Sequence, residues 1–84
     1  MYDMPWFVYI IQCRDRTLYA GVAKDVNKRV KEHNTTNRCR YTRSRKPVVL
    51  MYQESCENYN KARKREAQIK KFDRKKKLDL IKRR

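Results

Sequence analysis

The chain has 84 residues, the size of one small domain. Its 24 Lys or Arg against 9 Asp or Glu give a net charge of +15, a self-repulsion that is normally matched by a polyanionic partner. A hydrophobic share of 39% excludes a disordered tail, and no run approaches the ~18 apolar residues of a membrane-spanning helix.

Trp6 to Cys13 is a continuous apolar and aromatic run of strand length, broken by Arg14-Asp15-Arg16. Thr17 to Val22 is again β-prone, so the two segments read as a hairpin. Centred on Asp15, the hairpin sets Tyr9 opposite Gly21 and Tyr19 opposite Ile11. Asp25 reads as an N-cap, after which Val26, Val30 and His33 form one helical stripe ending near Asn34. Residues 35–46 are polar and basic without period and read as a loop. Pro47 to Tyr52 reads as a third strand with proline in first position. Asn58 or Asn60 caps the next helix, whose Ala62, Glu66, Ile69 and Phe72 share a face. Asp73 caps a last short helix with Leu78 and Ile81 inward. The order ββαβα plus a C-terminal helix predicts an α+β domain with a small three-stranded, mostly antiparallel sheet flanked by helices. One domain over residues 1–84 is expected, its helical tail beginning near residue 73 and carrying much of the basic charge.

The three cysteines, Cys13, Cys39 and Cys56, are widely spaced and unpaired in pattern, which points to a reducing compartment. With His33 they make a formal zinc set, but no C-x-x-C knuckle is present and packed free thiols are the simpler reading. The first residues lack the basic stretch of a secretory leader, so a cytoplasmic location is expected. Leu78, Leu80 and Ile81 make too small an apolar face for membrane attachment.

Folding alone explains a few residues poorly. Tyr9 and Tyr19 are diagonal cross-strand neighbours on one face, an arrangement that is either packing or a pair of functional phenols. Gly21 is the chain's one glycine; in a strand it marks a kink, or open space above the Tyr9 hydroxyl. Arg29 flanks the buried stripe, as a solvated charge or as a fixed guanidinium fork for a phosphate. Glu66 lies on an apolar face and needs a partner, either one of the many cations or a divalent metal. His33 either assists proton transfer or closes its helix against the macrodipole.

Phe7-Val8-Tyr9, Tyr19-Ala20-Gly21, Arg29, His33 and Glu66 together resemble the GIY-YIG nuclease superfamily. Leu18 to Gly21, Arg29 to Asn34, Tyr41 to Arg43, Lys46 to Tyr52 and Ala62 to Phe72 are similar to its small bacterial UPF0213 (YhbQ-like) group. The resemblance covers nearly the whole chain. It departs from the family motif at Phe7, Val8 and Ala20, where Phe7 would narrow the site.

The resemblance implies a phosphodiester hydrolase, a DNA endonuclease of branched or damaged DNA, using one divalent metal, Mg²⁺ or Mn²⁺. Glu66 matches the metal ligand, Tyr9 the general base, Tyr19 the second motif tyrosine, Arg29 the phosphate-steadying arginine, and His33 a position that is often histidine. The dense positive charge is expected to lower the Tyr9 pKa toward that task. Arg38, Arg40, Tyr41, Arg43, Arg45 and Lys46 in the loop, with Arg63, Lys70 and Lys71 on the helix, are expected to contact backbone phosphates with little sequence preference. DNA is expected over RNA, and a monomer over an oligomer. The alternative is a non-catalytic nucleic-acid-binding module with the same fold.

Overall fold

The computed structural model describes residues 5–83; residues 1–4, where the reading of a missing leader rests, and Arg84 lie outside the described residues. The order is β1 (Trp6–Gln12), β2 (Leu18–Ala23), α1 (Val26–Thr35), β3 (Val49–Cys56), α2 (Tyr59–Lys70) and α3 (Arg74–Lys82). The three strands form one antiparallel sheet, β2-β1-β3, with the most apolar strand in the centre. Among the described residues no helix is long and apolar enough to cross a membrane.

The hairpin register is the expected one: Tyr9 faces Gly21 and Ile11 faces Tyr19. The turn closes without glycine because Arg16 adopts φ 70°, a left-handed conformation rarely taken by side-chain-bearing residues. The Asp15 carboxylate supports it by accepting from the Thr17 amide at 3.1 Å and the Thr17 hydroxyl at 2.6 Å.

Alternation along β1 divides the core in two. Val8 and Ile10 point to one face, where they pack with Ala20, Tyr52, Ala62, Ile69 and Leu80 under α2 and α3. Tyr9 and Ile11 point to the other, where they meet Val26 and Val48, with Val30, Tyr19 and Tyr41 at the margin. Phe7 packs into this second cluster as well.

Asp25, Asn58 and Asp73 cap the three helices, each accepting a backbone N–H three residues on. Two sequence expectations need correction. β3 starts two residues later than expected and continues to Cys56, so Pro47 precedes the strand. Beyond the expected end at Tyr52, Glu54, Ser55 and Cys56 pair with Val8, Phe7 and Trp6 of the central strand. In α3 Leu80 is the buried residue, at 9% exposure, Ile81 packs against the core as expected, and Leu78 is only half-buried.

Candidate active site

The site is organised around Tyr9. Its ring lies across Gly21 of the neighbouring strand: a Cβ on Gly21 would stand 2.5 Å from the Tyr9 hydroxyl oxygen and 2.6 Å from Cζ. The glycine therefore does not leave the open space expected from sequence; the phenol itself fills that space. Because β2 is a sheet edge, this crossing carries the Tyr9 hydroxyl from the central strand toward the β2 side.

There the hydroxyl meets α1. His33, 1% exposed, places Nε2 at 2.9 Å from the Tyr9 hydroxyl and Nδ1 at 2.9 Å from Thr42 Oγ1. Burial, reinforced by the charge of Arg29, drives the His33 pKa down to about 4. The ring is neutral at physiological pH, so the helix-dipole reading fails, since that requires an imidazolium.

Cys39, which the sequence offers only as a packed free thiol, stands beside this chain of bonds. Burial alone would raise the Cys39 thiol pKa. Hydrogen bonds from the Thr42 hydroxyl and amide, the Tyr19 hydroxyl and the Tyr41 amide outweigh burial and bring it below its ordinary value. The Thr42 hydroxyl thus interacts with Cys39 and stands 2.9 Å from His33 Nδ1. A neutral imidazole has one donor and one acceptor, so with the proton on Nδ1 the ring donates to Thr42 and Nε2 accepts from the Tyr9 O–H. Thr42 is fully buried, and among the described residues no buried side-chain nitrogen or oxygen lacks a partner.

Tyr19 stands beside this pair, 5.9 Å from the His33 ring, with Tyr41 stacked on it at 5.0 Å and the Arg45 guanidinium over Tyr41 at 4.2 Å. Burial pushes Tyr19 up to about 12, with Cys39, Tyr9 and Glu66 adding to it. Tyr9 also titrates above its ordinary value, because burial outweighs the lowering effect of Arg29. This reverses the direction expected from the charge count: positive side chains stand near the phenol, but desolvation of the phenolate costs more than they return.

Arg29 is half-buried, 3.6 Å from Glu32, and its charge acts on both Tyr9 and His33. Glu66 comes from α2, whose core residues pack on the opposite face of the sheet, yet its charge acts on both phenols. Its side chain is 13% exposed and is held by Arg63 at 3.2 Å and Lys70 at 3.4 Å. The Lys70 ammonium in turn sits 5.2 Å from the centre of the Tyr19 ring, so α2 reaches the tyrosines from the β2 side. The structure thus brings Tyr9, Tyr19, Gly21 and His33 together, with the charges of Arg29 and Glu66 acting on them.

The expected binding residues fall into two groups. Arg38, Arg40, Arg43, Arg63, Lys70 and Lys71 are exposed. Arg45, Lys46 and Tyr41 are half-buried and engaged inside the loop. Arg45 bonds the Tyr41 carbonyl at 2.8 Å and Asp15 at 3.1 Å, and Lys46 bonds Asn37 at 2.9 Å. Among the described residues, no three His, Cys, Asp or Glu side chains gather to hold a metal, and the three cysteines are free.

Known proteins resemble this chain in sequence and fold. Residues 5–79 match the model of the GIY-YIG catalytic domain. The chain is 54% identical over 78 residues to the UPF0213 protein of Staphylococcus aureus strain Mu3, covering 93% of this chain and 95% of that one. The UPF0213 protein SA0446 of strain N315 matches to the same extent. The solution structure of the UPF0213 protein BH0048 from Bacillus halodurans superposes with a TM-score of 0.59 at 33% identity, over 94% of this chain and 84% of that one. GIY-YIG is a nuclease domain, whose partner is nucleic acid, while the UPF0213 names state no activity. By sequence and by fold, this chain belongs to the GIY-YIG catalytic domain family, in its UPF0213 group.

Proposed function

We propose that this protein is a metal-dependent endonuclease that hydrolyses phosphodiester bonds in DNA. The observation that carries this reading is the buried Tyr9–His33 hydrogen bond, flanked by Arg29 and within the field of Glu66. A phosphodiester is an anion that repels nucleophiles. Hydrolysis therefore needs positive charge at the phosphate, an acceptor for the water proton and a stabilised leaving oxygen.

Arg29 supplies a guanidinium that steadies the phosphate oxygens. Tyr9 keeps its proton at neutral pH, so it works as a relay and not as a standing phenolate. As its oxygen takes a proton from water, its own proton passes to His33 Nε2. In this relay His33 Nδ1–H donates to Thr42 Oγ1, 2.9 Å away, which leaves Nε2 as the acceptor. Tyr19, 5.9 Å from the His33 ring, orients the water or the phosphate.

Glu66 is the residue that would hold a Mg²⁺ or Mn²⁺ ion. A single carboxylate suits a cation that keeps most of its waters and shares substrate phosphate oxygens. The carboxylate already carries Arg63 and Lys70, so a divalent ion would replace one positive partner by another. Such an ion, when bound, supplies Lewis-acid charge at the phosphate.

The double ion pair at Glu66 is also the one observation that favours the second reading, a binding module that never cuts. Supercoiled plasmid, branched DNA and a matched RNA, incubated with Mg²⁺ or Mn²⁺ and with chelator, separate the two. The endonuclease reading expects metal-dependent cutting of DNA that is lost in Glu66→Ala while binding persists. Binding of every substrate without cutting of any supports the module.

A further inference from the structure

We propose that Trp6 and Tyr59, with Lys24 and Arg63, form a stacking site for an unpaired nucleotide beside the reaction centre. This rests on the nucleic-acid reading of the site, but not on cleavage. The two rings meet edge to face, with centroids 4.7 Å apart and planes at 62°. Tyr59 is 42% exposed, one of two large hydrophobic side chains described as exposed. Lys24 Nζ stands 5.3 Å from the Trp6 ring and the Arg63 guanidinium 5.9 Å from the Tyr59 ring. Arg63 also donates to the Tyr59 hydroxyl at 3.1 Å, which fixes the ring's tilt.

Core packing does not account for this group. Trp6 touches the margin of the α2-side cluster, but Tyr59 belongs to neither apolar cluster. A partly exposed aromatic pair with a cation at each ring is what a single strand recognises: the aromatic surface takes a base face and the cations take the flanking phosphates. A duplex keeps its bases stacked inside and offers no such face.

Placement ties the group to the reaction centre. Tyr59, Arg63, Glu66 and Lys70 follow at i, i+4, i+7 and i+11, one continuous stripe of α2. At 1.5 Å per residue, Tyr59 stands about 10 Å along the helix from Glu66. A stacked strand covers that in roughly three nucleotides at ~3.4 Å each. Arg63 bridges the interval, touching Tyr59 at one end and Glu66 at the other. The preferred substrate therefore carries unpaired nucleotides a short step from the scissile phosphate, as at a flap, a gap or a fork.

Trp6 is the chain's one tryptophan, which makes its fluorescence a direct reporter. The protein is titrated in chelator, where no cutting occurs, with a short single-stranded oligonucleotide and with a blunt duplex of matched charge. Labelled-DNA anisotropy records binding in parallel. The expected result is saturable quenching of Trp6 by the single strand. Its affinity falls roughly tenfold in Tyr59→Ala, with duplex affinity unchanged. Full binding without any change in Trp6 emission would overturn the proposal. So would an equal loss for both DNAs, or no binding of either. Should Tyr59→Ala fail to fold, Tyr59→Leu keeps the apolar contact, lacks the aromatic face and must show the same selective loss. Because the titration contains no metal, a protein that binds in this way but never cuts would sink the endonuclease reading alone.

Discussion

The Tyr9 hydroxyl and His33 Nε2 lie 2.9 Å apart inside the protein, each almost wholly removed from solvent. Neither group is charged at neutral pH, since burial holds the phenol above and the imidazole below its ordinary pKa. The pair is stable because each neutral partner satisfies the other, and it is poised because a proton needs to move only along that bond.

Acid should unfold the protein through His33. An unfolded histidine titrates near 6.5, the folded one at about 4. Between these values the unfolded chain binds more protons. The contribution is therefore fully present above the unfolded pKa and is lost as pH falls toward 4. The shift is worth roughly 3 kcal/mol. Urea unfolding across this range should show that loss in the wild type, with a shallower slope in His33→Gln. Parallel slopes would mean that His33 is not buried neutral.

Gly21→Ala should cost about 1–3 kcal/mol, because the new methyl and the Tyr9 ring cannot occupy one place. In a Tyr9→Ala background the penalty should vanish. A double-mutant cycle of thermal midpoints measures the coupling. Additive effects would place the clash elsewhere.

Cys39→Ala removes the acceptor that orders the Thr42 and Tyr19 hydroxyls. A stability loss of about 1 kcal/mol is expected. Nitrogen chemical shifts of His33 should show a single tautomer, protonated at Nδ1, in the wild type and a mixture in the variant. A wild-type ring protonated at Nε2 would reverse the relay.

The exposed and the engaged cations should behave differently. Arg40→Ala and Arg43→Ala should each lower the slope of log affinity against log salt by about 0.9 where that side chain meets a phosphate. Arg45→Ala should leave the slope unchanged and lower the thermal midpoint, since Arg45 holds Asp15 and covers Tyr41. Equal slopes for all three variants would refute the division.

The hairpin was legible because a long apolar strand, a short polar break and a second β-prone run leave little freedom in register. Hence the Tyr9–Gly21 pairing could be read in advance. The end of β3 could not, because Gln53 and Ser55 face solvent on an edge strand and leave no apolar trace. Cys39 and Thr42 sit in a loop without periodicity, where no pattern announces that two side chains will close a hydrogen-bond chain on His33. The direction of the Tyr9 pKa was missed for a related reason. Charge can be counted along a sequence, but the desolvation that outweighs it exists only once the chain is folded.

Single-turnover cleavage of DNA by wild type and Tyr9→Phe, at matched binding in Mg²⁺ or Mn²⁺, bears most directly on the relay. Removing one oxygen keeps the ring that lies over Gly21, so the fold and the affinity should survive. The account predicts that cutting slows by about 10²–10⁴-fold. Cutting by Tyr9→Phe at the wild-type rate would contradict it.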